Sequence, residues 1–166
     1  MNIQLDPITS NGKRAFAQLI NLYNFDYDFT NYLNDEIPEN GFFYGDADYY
    51  MNEVQAHNFF IRVDGKIAGY AIIMDGGCCY LEDENAHNID EFFVTRKFRR
   101  QGVGKTAALM AFEMFKGKWE VCQMQDNIRA QKFWMAVISE YTNGDFQQVG
   151  TPNDEMVGFI LNNADI

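Results

Sequence analysis

The chain has 166 residues, 47% of them hydrophobic, and a formal net charge of −11. That is the length of one ordinary domain with a single substantial core, and its acidity argues against a general nucleic-acid binder while suiting cationic partners. No stretch reaches the roughly 18 consecutive apolar residues of a membrane helix, and the start Met1-Asn2-Ile3-Gln4-Leu5-Asp6 lacks a basic segment and an apolar run, so a cytoplasmic protein without a membrane partner is expected.

Phe16, Leu19, Ile20 and Tyr23 recur at helical spacing behind the capping side chains Ser10 and Asn11, which predicts an amphipathic helix over residues 11–24. Residues 25–50 are rich in aromatics and carboxylates and are punctuated by Pro38 and Gly41, which predicts a short helix and a loop rather than a disordered linker. Two apolar runs, 58–63 and 66–74, flank Asp64-Gly65, a dipeptide that takes positive φ at little cost, so they predict a hairpin ended by Gly76-Gly77. Residues 88–95 read as a strand and 103–115 as a helix closed by Gly117. A strand over 119–124 and a helix over 128–141, starting beyond Asp126-Asn127, follow. Strands near 146–149 and 156–161 turn about Pro152-Asn153-Asp154. This order predicts a single α/β domain, a mixed sheet with helices packed on it. Cys78 and Cys79 are adjacent, Cys122 stands alone, and the histidines are His57 and His87, so reduced thiols and no metal site are expected.

Residues 99–105 fall between a predicted strand and a predicted helix, where the first helical turn turns unpaired N–H groups outward at the positive end of the macrodipole. Gly102 and Gly104 open the backbone to an anion, and Arg96, Lys97, Arg99, Arg100 and Lys105 concentrate positive charge in an acidic protein. Gly102-Val103-Gly104-Lys105-Thr106 matches the end of a nucleotide-binding P-loop, but the glycine that motif needs five positions before its last glycine is Arg99 here, which leaves an NTPase the weaker reading.

Arg99-Arg100-Gln101-Gly102-Val103-Gly104 resembles the Gln/Arg-x-x-Gly-x-Gly/Ala signature of the GNAT superfamily of acetyl-CoA-dependent N-acetyltransferases. Phe92-Phe93-Val94 resembles the end of that family's fourth strand, and Asn127-Ile128-Arg129-Ala130-Gln131-Lys132-Phe133-Trp134 its next motif, which opens the second helix of the core. The resemblance implies a mostly antiparallel mixed sheet with helices on both faces, divided into an N-terminal helical, acceptor-side region over 1–56 and an acetyl-CoA-binding core over 57–161. It implies that the backbone amides of Gln101, Gly102, Val103, Gly104 and Lys105, flanked by Arg99 and Arg100 and beside the Thr106 hydroxyl, hold the CoA diphosphate. The pantetheine arm would then run along Phe92, Phe93 and Val94, bonded by Asn127 and packed on Phe133.

Asp90-Glu91-Phe92-Phe93-Val94 is similar to the acidic pair before an aromatic pair in polyamine acetyltransferases, which implies Asp90 as the base and Glu91 as an ammonium anchor. Adjacent strand residues face opposite ways, so only one enters the site unless a bulge intervenes. His87 is a further base, acting through water. At Trp134 many members carry the tyrosine that protonates the leaving thiolate, and indole cannot do so, which leaves Tyr141, two turns on, as the candidate acid. Asp26, Tyr27, Asp28, Tyr32, Asp35 and Glu36 are candidates to line a cleft for a cation. The reading is thus transfer of an acetyl group to a primary amine of a small, cationic acceptor, with no nucleic-acid partner; homodimers are common in the family. The alternative is a CoA-binding sensor or assembly module without turnover.

Overall fold

The computed structural model describes residues 1–26 and 47–166. Among the described residues four α-helices, α1 (Lys13–Asp26), α2 (Ala47–Asn52), α3 (Val103–Met114) and α4 (Ile128–Tyr141), accompany seven strands. The strands are β1 (Ile3–Pro7), β2 (Ala56–Val63), β3 (Lys66–Asp75), β4 (His87–Val94), β5 (Lys118–Met124), β6 (Gln147–Val149) and β7 (Met156–Asn162), and they form one sheet in the order β1-β2-β3-β4-β5-β7-β6. Every pairing is antiparallel except β4 with β5.

The β2–β3 hairpin closes as its sequence predicts, with Asp64 at φ 49° and Gly65 at φ 78°, two left-handed residues whose twist matches that of the strands. Helix α4 begins at the predicted residue because the Asn127 side chain accepts the Ala130 N–H at 3.1 Å. Helix α1 starts later than its pattern suggests: Ser10–Gly12 forms a 3-10 turn without a side-chain cap, and the helix proper begins at Lys13. Of the aromatic, acidic stretch 25–50, residues 47–50 are helical; the loop and short helix expected between lie outside the described residues.

The N-terminal region is not helical throughout. Ile3–Pro7 is an edge strand that pairs with β2, Ile3 opposite Val63 and Pro7 opposite Phe59. Five residues ending in proline give a weak strand pattern, and an edge is where proline is tolerated; the partner that fixes it lies more than 50 residues away.

Alternation along the strands sorts two apolar faces. Phe59, Ile73, Ile89, Trp119, Val121 and Phe159 meet Phe112 of α3 and Trp134, Val137 and Ile138 of α4. Phe60, Tyr70, Ile72 and Phe93 meet Phe16, Leu19 and Ile20 of α1 and Ala47 of α2. Helices therefore cover both faces, and β4 runs through the middle with Phe92 toward one pair and Phe93 toward the other.

Candidate active site

The parallel pairing of β4 with β5 is brief: His87 lies opposite Trp119 and Asn88 opposite Glu120, and no further pair follows. Among the described residues, β4 from Ile89 onward is therefore bonded on its β3 side alone, and its other edge is left without a strand partner. On the closed side, Gly69 of β3 lets the strands approach, since a Cβ at that position would sit 1.9 Å from the Phe93 carbonyl oxygen.

Past β4 the chain makes a 3-10 turn over Arg96–Phe98, then Arg99 extends, Arg100 takes φ 59° and Gly102 takes φ 81° as the cap of α3. Two left-handed residues so close together rotate successive amides to one side, the geometry of an anion nest. The first helical bond is donated by the Thr106 N–H to the Gly102 carbonyl at 3.0 Å. Among the described residues, the amides of Arg100, Gln101, Gly102, Val103, Gly104 and Lys105 have no acceptor. The two glycines serve different ends. A Cβ on Gly102 would meet no atom of the described residues, so its glycine answers to φ and to whatever approaches from solvent; one on Gly104 would touch Phe133 at 3.4 Å, so that position belongs to helix packing as well.

The cationic cluster is less open than the sequence suggests. Asp26, at the end of α1, takes Arg96 at 2.5 Å on one oxygen and Arg99 on the other, while the Arg99 Nε donates to the Val94 carbonyl at 2.5 Å. Lys105 is held by Glu140 of α4 at 2.6 Å. Three of the five cations are thus engaged in ion pairs, Arg96 and Arg99 sharing the one carboxylate of Asp26, because the fold brings carboxylates from distant elements against them; Lys97 and Arg100 have no ion pair among the described residues. Asp26, expected in an acceptor cleft, instead clamps this loop. Burial pushes its carboxyl up, but the hydrogen bonds and charges of Arg99 and Arg96 outweigh that and hold it below the ordinary range. Tyr27, Asp28, Tyr32, Asp35 and Glu36 lie outside the described residues.

Residues Asp90 and Glu91 sit where β4 bulges. Ile72 faces Glu91 and Ile73 faces Ile89, so Asp90 is the extra residue, and the bulge turns both carboxylates to the α1 face. The hydroxyl of Tyr70, a fully buried β3 residue, donates to Glu91, and Tyr50 of α2 donates to Asp90 Oδ2 at 2.8 Å. Tyr23 and Phe93 enclose Tyr70, their ring centroids 6.3 and 6.0 Å from its own. Burial, reinforced by the Asp90 charge and only partly offset by hydrogen bonds from Tyr70 and Tyr50, pushes the Glu91 carboxyl up to about 7. Both phenols are raised in turn, by burial first and then by the charge of Glu91. Tyr50 and Tyr70, whose hydroxyls hold the two carboxylates, are not singled out by the sequence; Tyr70 occupies a strand position where an apolar residue would fit the pattern equally well.

Other predicted residues lie elsewhere. Phe92 and Phe133 stack at 6.1 Å on the α3–α4 face, and Trp134 is core, against Phe92 at 5.1 Å and Phe112 at 6.4 Å. The Asn127 side-chain oxygen is spent on its helix cap, which leaves its NH2 group for a ligand. Tyr141 is not brought to the carboxylates: it donates to Glu113 at 2.8 Å at the far end of α3, on the opposite face of the sheet. Nor is His87, which shares Asp75 with His57 at 2.7 and 2.8 Å and packs on Phe115.

This architecture recurs among solved structures. An acetyltransferase from Thermus thermophilus superposes with a TM-score of 0.70 at 12% identity over 98% of this chain and 97% of that one. The PaiA N-acetyltransferase of Thermoplasma acidophilum, in complex with coenzyme A, gives 0.69 at 12% identity over 98% and 99%. Spermidine N-acetyltransferase of Vibrio cholerae, in complex with CoA and spermine, gives 0.62 at 11% identity over 98% and 96%. A search of curated proteins finds no match to the sequence. The family model described as "Acetyltransferase (GNAT) family" matches residues 16–137, which takes in most of α1, the β4 bulge, the amide loop and most of α4. With that match covering most of its length, the chain belongs to the GNAT acetyltransferase family.

Proposed function

We propose that the protein transfers an acetyl group from acetyl-CoA to a primary amine of a small cationic acceptor. The observation that carries this reading is that the strand and the loop after it supply the two things such a transfer needs. On β4, three residues before its end at Val94, stands a carboxyl held near 7, and past the 3-10 turn that follows β4 lies a run of amides without acceptors among the described residues.

Acetyl-CoA supplies the activated thioester. The protein holds its diphosphate with the amides of residues 100–105, and the nearby charge comes from Arg100 rather than from Arg99 or Lys105, whose ion pairs fix the loop. The open edge of β4 at Phe92, Phe93 and Val94 receives the pantetheine arm and presents a backbone N–H where oxyanion charge develops; the Asn127 NH2 group and the Phe133 ring complete its walls. Glu91 accepts the proton of the attacking ammonium, since a base poised near 7 is unprotonated at working pH yet still basic. Asp90, exposed at the bulge, anchors the acceptor's charge. These roles reverse the assignment made from motif resemblance, which had no access to burial. With Trp134 in the core and Tyr141 remote, the leaving thiolate takes its proton from solvent.

The test is an acceptor panel with radiolabelled acetyl-CoA. Transfer to di- and triamines, with little to neutral alcohols, is expected. Transfer confined to hydroxyls would refute the amine assignment, and stabilisation by ATP that CoA does not compete with would refute the cofactor.

A further inference from the structure

A second cluster of reactive side chains lies outside this machinery. Cys79, in the segment between β3 and β4, meets Glu120 and Cys122, both on one face of β5, and their two sulfurs and a carboxylate oxygen all lie within 4.8 Å of one another. Cys122 Sγ is 3.3 Å from Glu120 Oε1. For zinc, bonds of about 2.3 Å to sulfur and 2.0–2.2 Å to oxygen in a tetrahedron require donor separations of roughly 3.5–3.8 Å, so the three groups stand close to a coordination shell.

Glu120 supplies an independent observation. Its residue is 1% exposed, yet among the described residues it has no cationic side-chain partner. It is held instead by the backbone N–H groups of Cys79, Tyr80 and Leu81, the last two at 2.9 and 2.8 Å. A desolvated carboxylate without a countercharge is a costly thing to keep. Here it also fixes the backbone that carries Cys79, which puts one sulfur donor over the other.

We propose that Cys79, Cys122 and Glu120 form a binding site for a thiophilic divalent cation, Zn2+ in the first instance, with three protein ligands and an outward position closed by water. Each thiol releases its proton to solvent as its metal–sulfur bond forms, so two protons leave, the carboxylate stays ionised and the occupied site carries one net negative charge. The cation takes the place of the Cys122 S–H proton now directed at Glu120 Oε1. Cys79 is exposed and provides the way in. Spacing along the chain predicts no metal site because these ligands come from two separate segments that the fold brings together.

Reduced, chelator-treated protein titrated with Co2+ tests this. A cobalt–thiolate charge-transfer band saturating at one equivalent and displaced by Zn2+ is expected. The band should vanish in Cys79→Ser and in Cys122→Ser and persist in Cys78→Ser. Zn2+ should also shield Cys79 and Cys122 of the unaltered protein from alkylation, a readout that does not depend on the variants folding. Absence of the band, its survival in Cys122→Ser, or a Cys79–Cys122 disulfide formed in air despite Zn2+ each overturns the proposal.

Discussion

The buried hydroxyl of Tyr70 donates its hydrogen bond to the carboxylate of Glu91 across the β3–β4 pair. That bond favours the charged carboxylate and opposes the burial that raises it. Tyr70→Phe should therefore move the acid limb of the kcat/KM profile to higher pH. It should also destabilise the fold by roughly 1–3 kcal/mol, the range for a lost hydrogen bond to a charged group. A pH–rate profile measured beside a denaturant titration reads both.

Glu91→Gln removes the base, and kcat should fall by about 10²–10⁴ with acetyl-CoA affinity little changed. In the unaltered protein the rate should fall as pH drops below about 7, because Glu91 must be ionised to accept the ammonium proton. Stability moves the other way. A carboxyl raised from 4.5 to about 7 binds more protons folded than unfolded, so its contribution is full below pH 4.5 and is lost as pH rises through 7. Glu91→Gln should consequently gain stability at pH 8 relative to the unaltered protein, by on the order of 3 kcal/mol, and show little gain at pH 4.

Asp26 ties α1 to the amide loop through Arg96 and Arg99. Its carboxyl is held below 3.8, so this contribution is present above that pH and disappears as pH falls through the lowered value. Asp26→Asn should weaken acetyl-CoA binding severalfold by loosening the loop and should flatten the acid end of the stability profile. Calorimetry and thermal melts between pH 2 and 7 measure the two effects, at a cost of about 1–3 kcal/mol for the buried side of the ion pair.

Gly102→Ala separates the fold from the ligand. Its Cβ meets no atom of the described residues, so folding should lose only the roughly 1 kcal/mol of a left-handed alanine. Acetyl-CoA approaching the same open side should lose at least tenfold in affinity. Equal losses in melting and in binding would mean that the loop does not face the diphosphate.

Local chemistry made much of this fold legible. The Asp64-Gly65 turn, the Asn127 cap and the helical spacing behind Gly102 each fix an element through residues a few positions apart. What escaped depends on partners far along the chain. Strand β1 exists because β2 is there to pair with it. The bulge that turns Asp90 and Glu91 together is a property of the β3–β4 register, not of either residue. Arg99 looks like a phosphate ligand until Asp26, 73 positions earlier, is found holding it. Tyr141 lay on a helix whose bounds were read correctly, but that helix carries it to Glu113 and away from the carboxylates.

Amide exchange followed residue by residue tests the central claim most directly, because the claim concerns particular N–H groups. On adding acetyl-CoA, the amides of Arg100, Gln101, Gly102, Val103, Gly104 and Lys105, which have no acceptor among the described residues, should gain protection and shift together. Saturation with acetyl-CoA that leaves those six amides exchanging as before, while others respond, would contradict it.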